Sequence, residues 1–180
     1  MAILITPSSV VAFWKEAGPD KWYAKDEVFD RTFRDAGRAL HWAAARRELD
    51  DWADTAEGAL ALMILLDQYP RNSYRGTAHQ FATDGLALSF ARRAWERSWP
   101  QTFEPDLRQF FITPFEHSED LADQDAGLPL CADMSEVLKY AIIHRDIIVR
   151  FGRFPHRNKA LGRETTLEEQ AFLDDGGFGG

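Results

Sequence analysis

Two short segments of the sequence concentrate side chains that can bind anions and transfer protons. Tyr-Pro-Arg-Asn occupies positions 69–72 and Phe-Pro-His-Arg-Asn occupies positions 154–158, each after a long apolar run. Both segments continue to a glycine and then to a threonine. Proline, asparagine, glycine and threonine are typical of a junction between two helices. Such a junction does not explain the arginines, so both segments are candidate functional sites.

Eight polar residues in and beside these segments are predicted to bind a ligand. A guanidinium group binds carboxylate or phosphate through two parallel hydrogen bonds, so clustered arginines favour a small anionic ligand or an acidic segment of a partner protein. The predicted ligand-binding residues are Arg71, Asn72, Arg75, Arg153, His156, Arg157, Asn158 and Arg163. An alternative is that these arginines pair with carboxylates such as Asp84 and Glu119 and only join helix ends.

Three residues are candidate catalytic groups. His117 and His156 lie in polar segments and titrate near neutral pH, which suits a general acid or base. Asp67 ends an apolar helix, where the helix dipole disfavours a carboxylate, so it requires a partner such as Arg71. An enzyme requires His117, His156 and Asp67 to converge on one substrate. A structural ion pair between two helix ends is the alternative for Asp67.

Metal and cofactor binding are not predicted. His117, Glu119 and Asp123 are weak candidates for a metal site, because imidazole and carboxylate groups bind divalent cations. The acidic first turn of a capped helix explains the same carboxylates. The sequence has no phosphate-binding loop, dinucleotide-binding glycine pattern or zinc-protease motif, and we expect no cofactor.

Composition restricts the class of protein and its partners. The 180 residues are 45% hydrophobic, which is typical of one globular domain with a substantial core. The net charge of −8 repels nucleic acids and anionic membranes, so neither is a predicted partner. The N-terminal residues do not resemble a signal peptide, and we expect a cytoplasmic protein. The oligomeric state is left open.

Helical periodicity and capping patterns predict an all-α fold. About seven to eight helices, joined by short connections, should pack with antiparallel neighbours. The most apolar helix is predicted over 55–68 and should end before Pro70, because a residue preceding proline is disfavoured in the α region. We predict one domain over 1–174 and a flexible glycine-rich tail over 175–180.

Several motifs along the chain support a family resemblance. They are Leu65-Leu-Asp-Gln-Tyr-Pro-Arg-Asn72, Tyr74-Arg-Gly-Thr77, Pro114-Phe-Glu-His-Ser-Glu119, Arg153-Phe-Pro-His-Arg-Asn158 and Leu161-Gly-Arg163. The sequence resembles an uncharacterised bacterial domain-of-unknown-function family, also seen in fungi, that is grouped with TPR-like helical folds. The resemblance implies a TPR-like array of antiparallel helix hairpins, and it implies no activity. A scaffold for protein–protein interaction is therefore a third functional alternative.

Overall fold

The secondary structure of the described residues is entirely helical. The computed structural model describes residues 4–179, and no strand occurs among them. The helices are α1 (Pro7–Ala17), α2 (Pro19–Trp22), α3 (Glu27–Ala45), α4 (Ala56–Met63), α5 (Tyr69–Ser73), α6 (Asp84–Glu96), α7 (Pro105–Arg108), α8 (Thr113–Glu116), α9 (Leu121–Gly127), α10 (Ser135–Phe151), α11 (Asn158–Leu161) and α12 (Leu167–Asp174). The predicted all-α class is confirmed.

The number of helices differs from the prediction. A π-helical segment, Ile64–Gln68, joins α4 and α5 into one continuous rod, so the described chain has about eleven separate helices and not seven to eight. Four of them, α2, α7, α8 and α11, are only four residues long. A single turn is too short for an apolar repeat to be recognised. The TPR-like arrangement stays a prediction.

The joined rod lies in the centre of the molecule. Every side chain of the apolar run 59–66 is at most 1% exposed, and α1, α3 and α6 pack around the rod. An apolar surface on all sides is expected for a central helix. None of the described helices has both the length and the apolar composition needed to cross a bilayer.

The prediction that the central helix ends before Pro70 is wrong. The backbone N–H of Tyr69 donates to the carbonyl of Ile64, five residues earlier, so the helix widens into a π turn at this point. Pro70 has no N–H and would clash with a regular helical turn, and a widened turn accommodates it. The rod therefore continues to Ser73. The Tyr-Pro-Arg-Asn segment at positions 69–72 is part of the helix, and the junction follows it.

Side chains from neighbouring helices satisfy carbonyl groups of the π-helical segment. His41 Nδ1 lies 2.9 Å from the carbonyl oxygen of Leu65, and the Thr83 hydroxyl donates to the carbonyl oxygen of Leu66 at 2.5 Å. Both donors are buried. A buried carbonyl without a partner is costly, so these two bonds hold the π turn in place.

The C-terminal segment is joined to the bundle by ion pairs. Gly152 ends α10 with a φ of +67°, a left-handed conformation that glycine adopts without strain. Arg153 then pairs with Glu169 of α12 at 2.6 Å, and Arg163 pairs with Glu119 at 2.7 Å. Residues 1–3 of the predicted domain and Gly180 of the predicted tail lie outside the described residues. The domain boundary and the flexibility of the tail stay predictions.

We expect Thr83→Val to lower the free energy of unfolding by about 1–3 kcal/mol, because it leaves the buried Leu66 carbonyl without its partner. Urea denaturation measures this change. Thr32→Val is the matched control, since the Thr32 hydroxyl donates to the Val28 carbonyl on an exposed helix face, and we expect it to change stability by less than about 0.5 kcal/mol. Equal effects of the two substitutions would contradict the role given to Thr83.

Candidate functional site

A cavity of about 580 Å³ opens beside the central rod. Its walls are contributed by the end of α2, the π-helical segment with α5, the end of α8, one face of α10 and the second arginine-containing segment. Two aromatic side chains, Trp22 and Tyr23, form one side, and Phe81 and Tyr140 contribute to others. A concave site of this size with a few converging polar groups is typical of a small-molecule site.

Asp67 is a fully buried carboxylate whose hydrogen-bond partners line this cavity. Its Oδ1 lies 2.6 Å from His117 Nδ1 and 3.1 Å from Arg71 Nη1. Its Oδ2 accepts hydrogen bonds from Gln68 Nε2 at 2.6 Å and from the Thr113 hydroxyl at 3.0 Å. Burial disfavours the ionised form, but Arg71, His117 and Thr113 hold the pKa of Asp67 well below its ordinary value. Asp67 is therefore ionised at neutral pH.

The contact with Asp67 determines the tautomer of His117. An ionised carboxylate only accepts hydrogen bonds, so Nδ1 carries the proton. Burial and the nearby charge of Arg71 lower the pKa of His117 below its ordinary value, although Asp67 acts in the opposite direction. The ring is neutral, and Nε2 has no hydrogen-bond partner among the described residues. His117 lines the cavity, so its Nε2 lone pair is available to a bound molecule.

Arg71 and Arg157 converge on Asp84 at the start of α6. Arg71 makes two hydrogen bonds to the Asp84 carboxylate, at 2.8 and 2.9 Å. Arg157 approaches the same carboxylate with Nη1 at 3.4 Å. The N-terminus of a helix also favours a carboxylate, which stabilises Asp84 as the shared partner.

Arg157 has donors that its protein contacts do not use. The residue is 5% exposed, and its buried Nε has no hydrogen-bond partner within the described part of the chain. The guanidinium group lies between two rings, 4.6 Å from the centre of Phe81 and 4.5 Å from the centre of Phe154. Burial lowers the pKa of Arg157 to about 10, so it keeps its charge at neutral pH. Of the three arginines that line the cavity, Arg71 and Arg75 are held by carboxylates, and Arg157 is the one with capacity to bind an anion.

Glu116, the residue before His117, is a buried acid in the same wall. It is 6% exposed, and none of residues 4–179 forms a hydrogen bond with its Oε1. Burial and the negative charge of Asp67 raise the pKa of Glu116 to about 8. The side chain is therefore mostly protonated at neutral pH, and it can donate a hydrogen bond into the cavity.

Two further histidines and a phenylalanine form the side of the cavity nearest the C-terminus. His144 places its ring 6.1 Å from that of His117 and 4.5 Å from that of Phe178. His156 lies 5.6 Å from Phe178, and its buried Nδ1 has no partner. Burial, together with neighbouring positive groups, lowers the pKa of His144 to about 4 and that of His156 to about 3. Both rings are neutral at pH 7.

The structure places two of the three candidate catalytic residues, His117 and His156, in the lining of the cavity and buries the third, Asp67. Asp67 and His117 are hydrogen-bonded, and His156 lines the same cavity. Five of the eight predicted ligand-binding residues also line it, namely Arg71, Asn72, Arg75, His156 and Arg157.

The remaining predicted residues have structural partners. Arg153 pairs with Glu169, Arg163 pairs with Glu119, and Asn158 donates to Glu169 at 3.2 Å. Within the cavity wall, Asn72 donates to Asp30 at 2.8 Å, and Arg75 also pairs with Asp30. Ion pairing therefore accounts for most of the predicted arginines.

The three weak metal candidates contact different partners. His117 bonds to Asp67, Glu119 bonds to Arg163, and Asp123 pairs with Arg92 and accepts a hydrogen bond from the Ser118 hydroxyl at 2.6 Å. Over residues 4–179, no group of three or more histidine, cysteine, aspartate or glutamate side chains is arranged to hold a metal ion.

Sequence reasoning missed Glu116 and Thr113, and it treated Arg157 as one arginine among several. The signal that could have identified Glu116 is its position between the apolar run 110–115 and His117. An acid in such a run is either buried with a partner or has a raised pKa.

Glu116 should make stability depend on pH. Its pKa is raised from 4.5 to about 8 on folding, so the stability from the buried neutral acid is complete below pH 4.5 and is lost as the pH rises towards 8. Glu116→Gln should therefore stabilise the protein relative to wild type at about pH 8, by up to about 4 kcal/mol, and much less at about pH 5. Urea denaturation at both pH values measures the difference, with exposed Glu104→Gln as control. A difference that does not change with pH would show that Glu116 is ionised in the folded protein.

Comparison with known proteins identifies the family. Residues 10–177 match the family described as "Bacterial protein of unknown function (DUF924)". The chain is also similar to a solved structure, a protein of unknown function, ATU0120, from Agrobacterium tumefaciens. Sequence identity is 54%, the TM-score is 0.92, and the match covers 94% of this chain and 97% of the other. No curated protein matches the sequence. The chain therefore belongs to the DUF924 family of bacterial proteins of unknown function.

Proposed function

We propose that this protein is a hydrolase of small anionic molecules in which His117 is the general base. The observation that carries the proposal is the 2.6 Å contact between Asp67 and His117 Nδ1, with Nε2 left open to the cavity. A carboxylate at one imidazole nitrogen fixes the tautomer, and it stabilises the imidazolium that forms when the other nitrogen accepts a proton.

The lining of the cavity favours water as the nucleophile. Among the described residues that line it, none is serine or cysteine. The hydroxyl of Thr113 donates to Asp67, and the lowered pKa of Asp67 makes this carboxylate too weak a base to activate the hydroxyl. A water molecule held by His117 Nε2 is the simplest nucleophile, and general-base assistance of this kind accelerates reactions by about 10²–10⁴-fold.

The contacts of Arg157 are evidence that the substrate is an anion. The contact of Arg157 with Asp84 is 3.4 Å long, so its Nη groups can bind a carboxylate or phosphate without displacing a strong ion pair. The same observation supports a second candidate function, a binding module that holds a small anion without turnover. The two candidates differ in whether His117 is required for a reaction or only lies beside the ligand.

His117 should be required for hydrolysis. We expect wild-type protein to hydrolyse members of a panel of para-nitrophenyl esters that carry a carboxylate or phosphate, and His117→Ala to lower kcat by about 100-fold or more. Added imidazole should restore part of the lost activity, because it replaces the missing base.

His79→Gln is the control, since His79 lies outside the cavity. Hydrolysis by wild type that His117→Ala leaves unchanged would overturn the role of the base. Binding of an anion in the panel, measured by calorimetry, without any hydrolysis would favour the binding module.

Arg157 should control recognition of the anion. We expect Arg157→Gln to raise KM for mono-para-nitrophenyl terephthalate by about 10- to 100-fold, since a hydrogen bond to a charged group contributes about 1.5–3 kcal/mol. KM for para-nitrophenyl benzoate, which lacks the carboxylate, should change little. Arg150→Gln is the matched control, because Arg150 pairs with exposed Glu168 outside the cavity. Equal changes in KM for the two esters would contradict anion binding by Arg157.

A further inference from the structure

We infer that Glu116 is the general acid that protonates the leaving group of the substrate. The inference rests on the proposed function and deepens it, because a dedicated acid is needed when the leaving group is an alkoxide or an amine. The substrate class is therefore an alkyl ester or an amide that carries a carboxylate or phosphate.

The positions of Glu116 and His117 suit a pair of proton-transfer groups. They are consecutive residues at the end of α8, and both line the cavity. Successive residues of a helix project about 100° apart, so the two side chains reach different parts of the same space. Base and acid can then act on the attacking and leaving atoms of one bond.

The backbone that carries both side chains is fixed by buried contacts. The N–H of Glu116 donates to the Ile112 carbonyl at 3.2 Å, and the N–H of His117 donates to the Thr113 carbonyl at 2.9 Å. The amide of Gln124, which is 3% exposed, donates to the Glu116 carbonyl at 2.7 Å. Packing therefore holds the acid in place, as a catalytic group requires.

The surroundings of Glu116 keep it neutral. Apart from His117, three titratable groups interact electrostatically with Glu116, namely Asp67, Tyr23 and Cys131. None of these three bears a positive charge. The hydrogen bonds of Arg71 go to Asp67 and Asp84. No cation among residues 4–179 bonds to its carboxyl group, so Glu116 retains its proton at neutral pH, in line with a pKa of about 8.

His117 and Glu116 together carry out the two proton transfers that the reaction requires. The oxygen of water forms a bond to the acyl carbon, and the proton it loses goes to His117 Nε2. The bond from the acyl carbon to the leaving oxygen or nitrogen breaks, its electron pair stays on the leaving atom, and that atom takes the proton of Glu116. The products are an acid and an alcohol or amine. Proton transfer from His117 to Glu116 through water in the cavity restores both residues.

Leaving-group dependence tests the role of Glu116 directly. Monomethyl terephthalate has a poor leaving group, whereas the leaving group of mono-para-nitrophenyl terephthalate departs without protonation. We expect Glu116→Gln to lower kcat for the methyl ester by about 100-fold and for the para-nitrophenyl ester by less than about threefold. For the methyl ester, the loss of wild-type activity above about pH 8 should disappear in the variant. Equal losses for the two esters would overturn the inference and leave His117 as base intact.

Infrared spectroscopy tests the protonation state without any substrate. We expect wild-type protein at pH 7 to show the carbonyl band of a buried protonated carboxylic acid, which Glu116→Gln removes and which Glu104→Gln retains. Absence of that band in wild type would overturn the inference. If wild type hydrolyses neither ester nor any member of the wider panel, the proposed function fails, and with it the catalytic role of Glu116. The infrared band then shows only whether the acid is neutral.

Discussion

The buried negative charge of Asp67 is the constraint on which the rest of the site depends. A carboxylate removed from water is strongly destabilising unless hydrogen bonds and opposite charges replace its hydration. Asp67 obtains these from Arg71, His117, Thr113 and Gln68, which belong to the central rod and to the segment around α8. The partners that stabilise the charge are also the wall of the cavity. The same set of contacts therefore stabilises the charge of Asp67 and orients His117.

The π-helical segment is what allows this arrangement inside an apolar rod. A π turn contains one more residue than an α turn, so it rotates the side chains that follow it by about 100° relative to a regular helix. Asp67 lies within the widened segment and Arg71 lies one turn beyond it, where the two groups meet at 3.1 Å. Pro70 makes the widened turn favourable, and His41 and Thr83 satisfy carbonyls of the segment. The proline expected to end the helix instead favours the widened turn that contains Asp67.

Sequence patterns predicted the long elements and the approximate place of the site. Helices α3 and α10 repeat their apolar positions over several turns, so periodicity identified them. Asp67 and His117 were recognised because a carboxylate at a helix end and a histidine in a polar segment both require partners.

Other features depend on tertiary packing and could not be predicted in the same way. Four-residue helices have no repeat to recognise, and the π turn depends on donors such as His41, which is 24 positions away from the Leu65 carbonyl that it contacts. The neutrality of Glu116 arises from burial, which adjacent residues only suggest. The arginines looked alike in sequence, but Arg153 pairs with Glu169 of α12 and Arg163 pairs with Glu119 in the connection between α8 and α9, so both join separate parts of the fold.

The charges around the cavity connect the two parts of the proposed function, the binding of an anion and the general base. The buried ionised groups are Asp67, Asp84, Arg71 and Arg157, whose charges cancel, and the neighbouring histidines and Glu116 are neutral. When His117 accepts a proton, the site gains a positive charge in surroundings of low polarity. An anionic group held by Arg157 offsets that charge, and Asp67 stabilises it directly. In the proposed hydrolysis, a negative charge on the substrate therefore stabilises the transition state more than a neutral group of the same shape does.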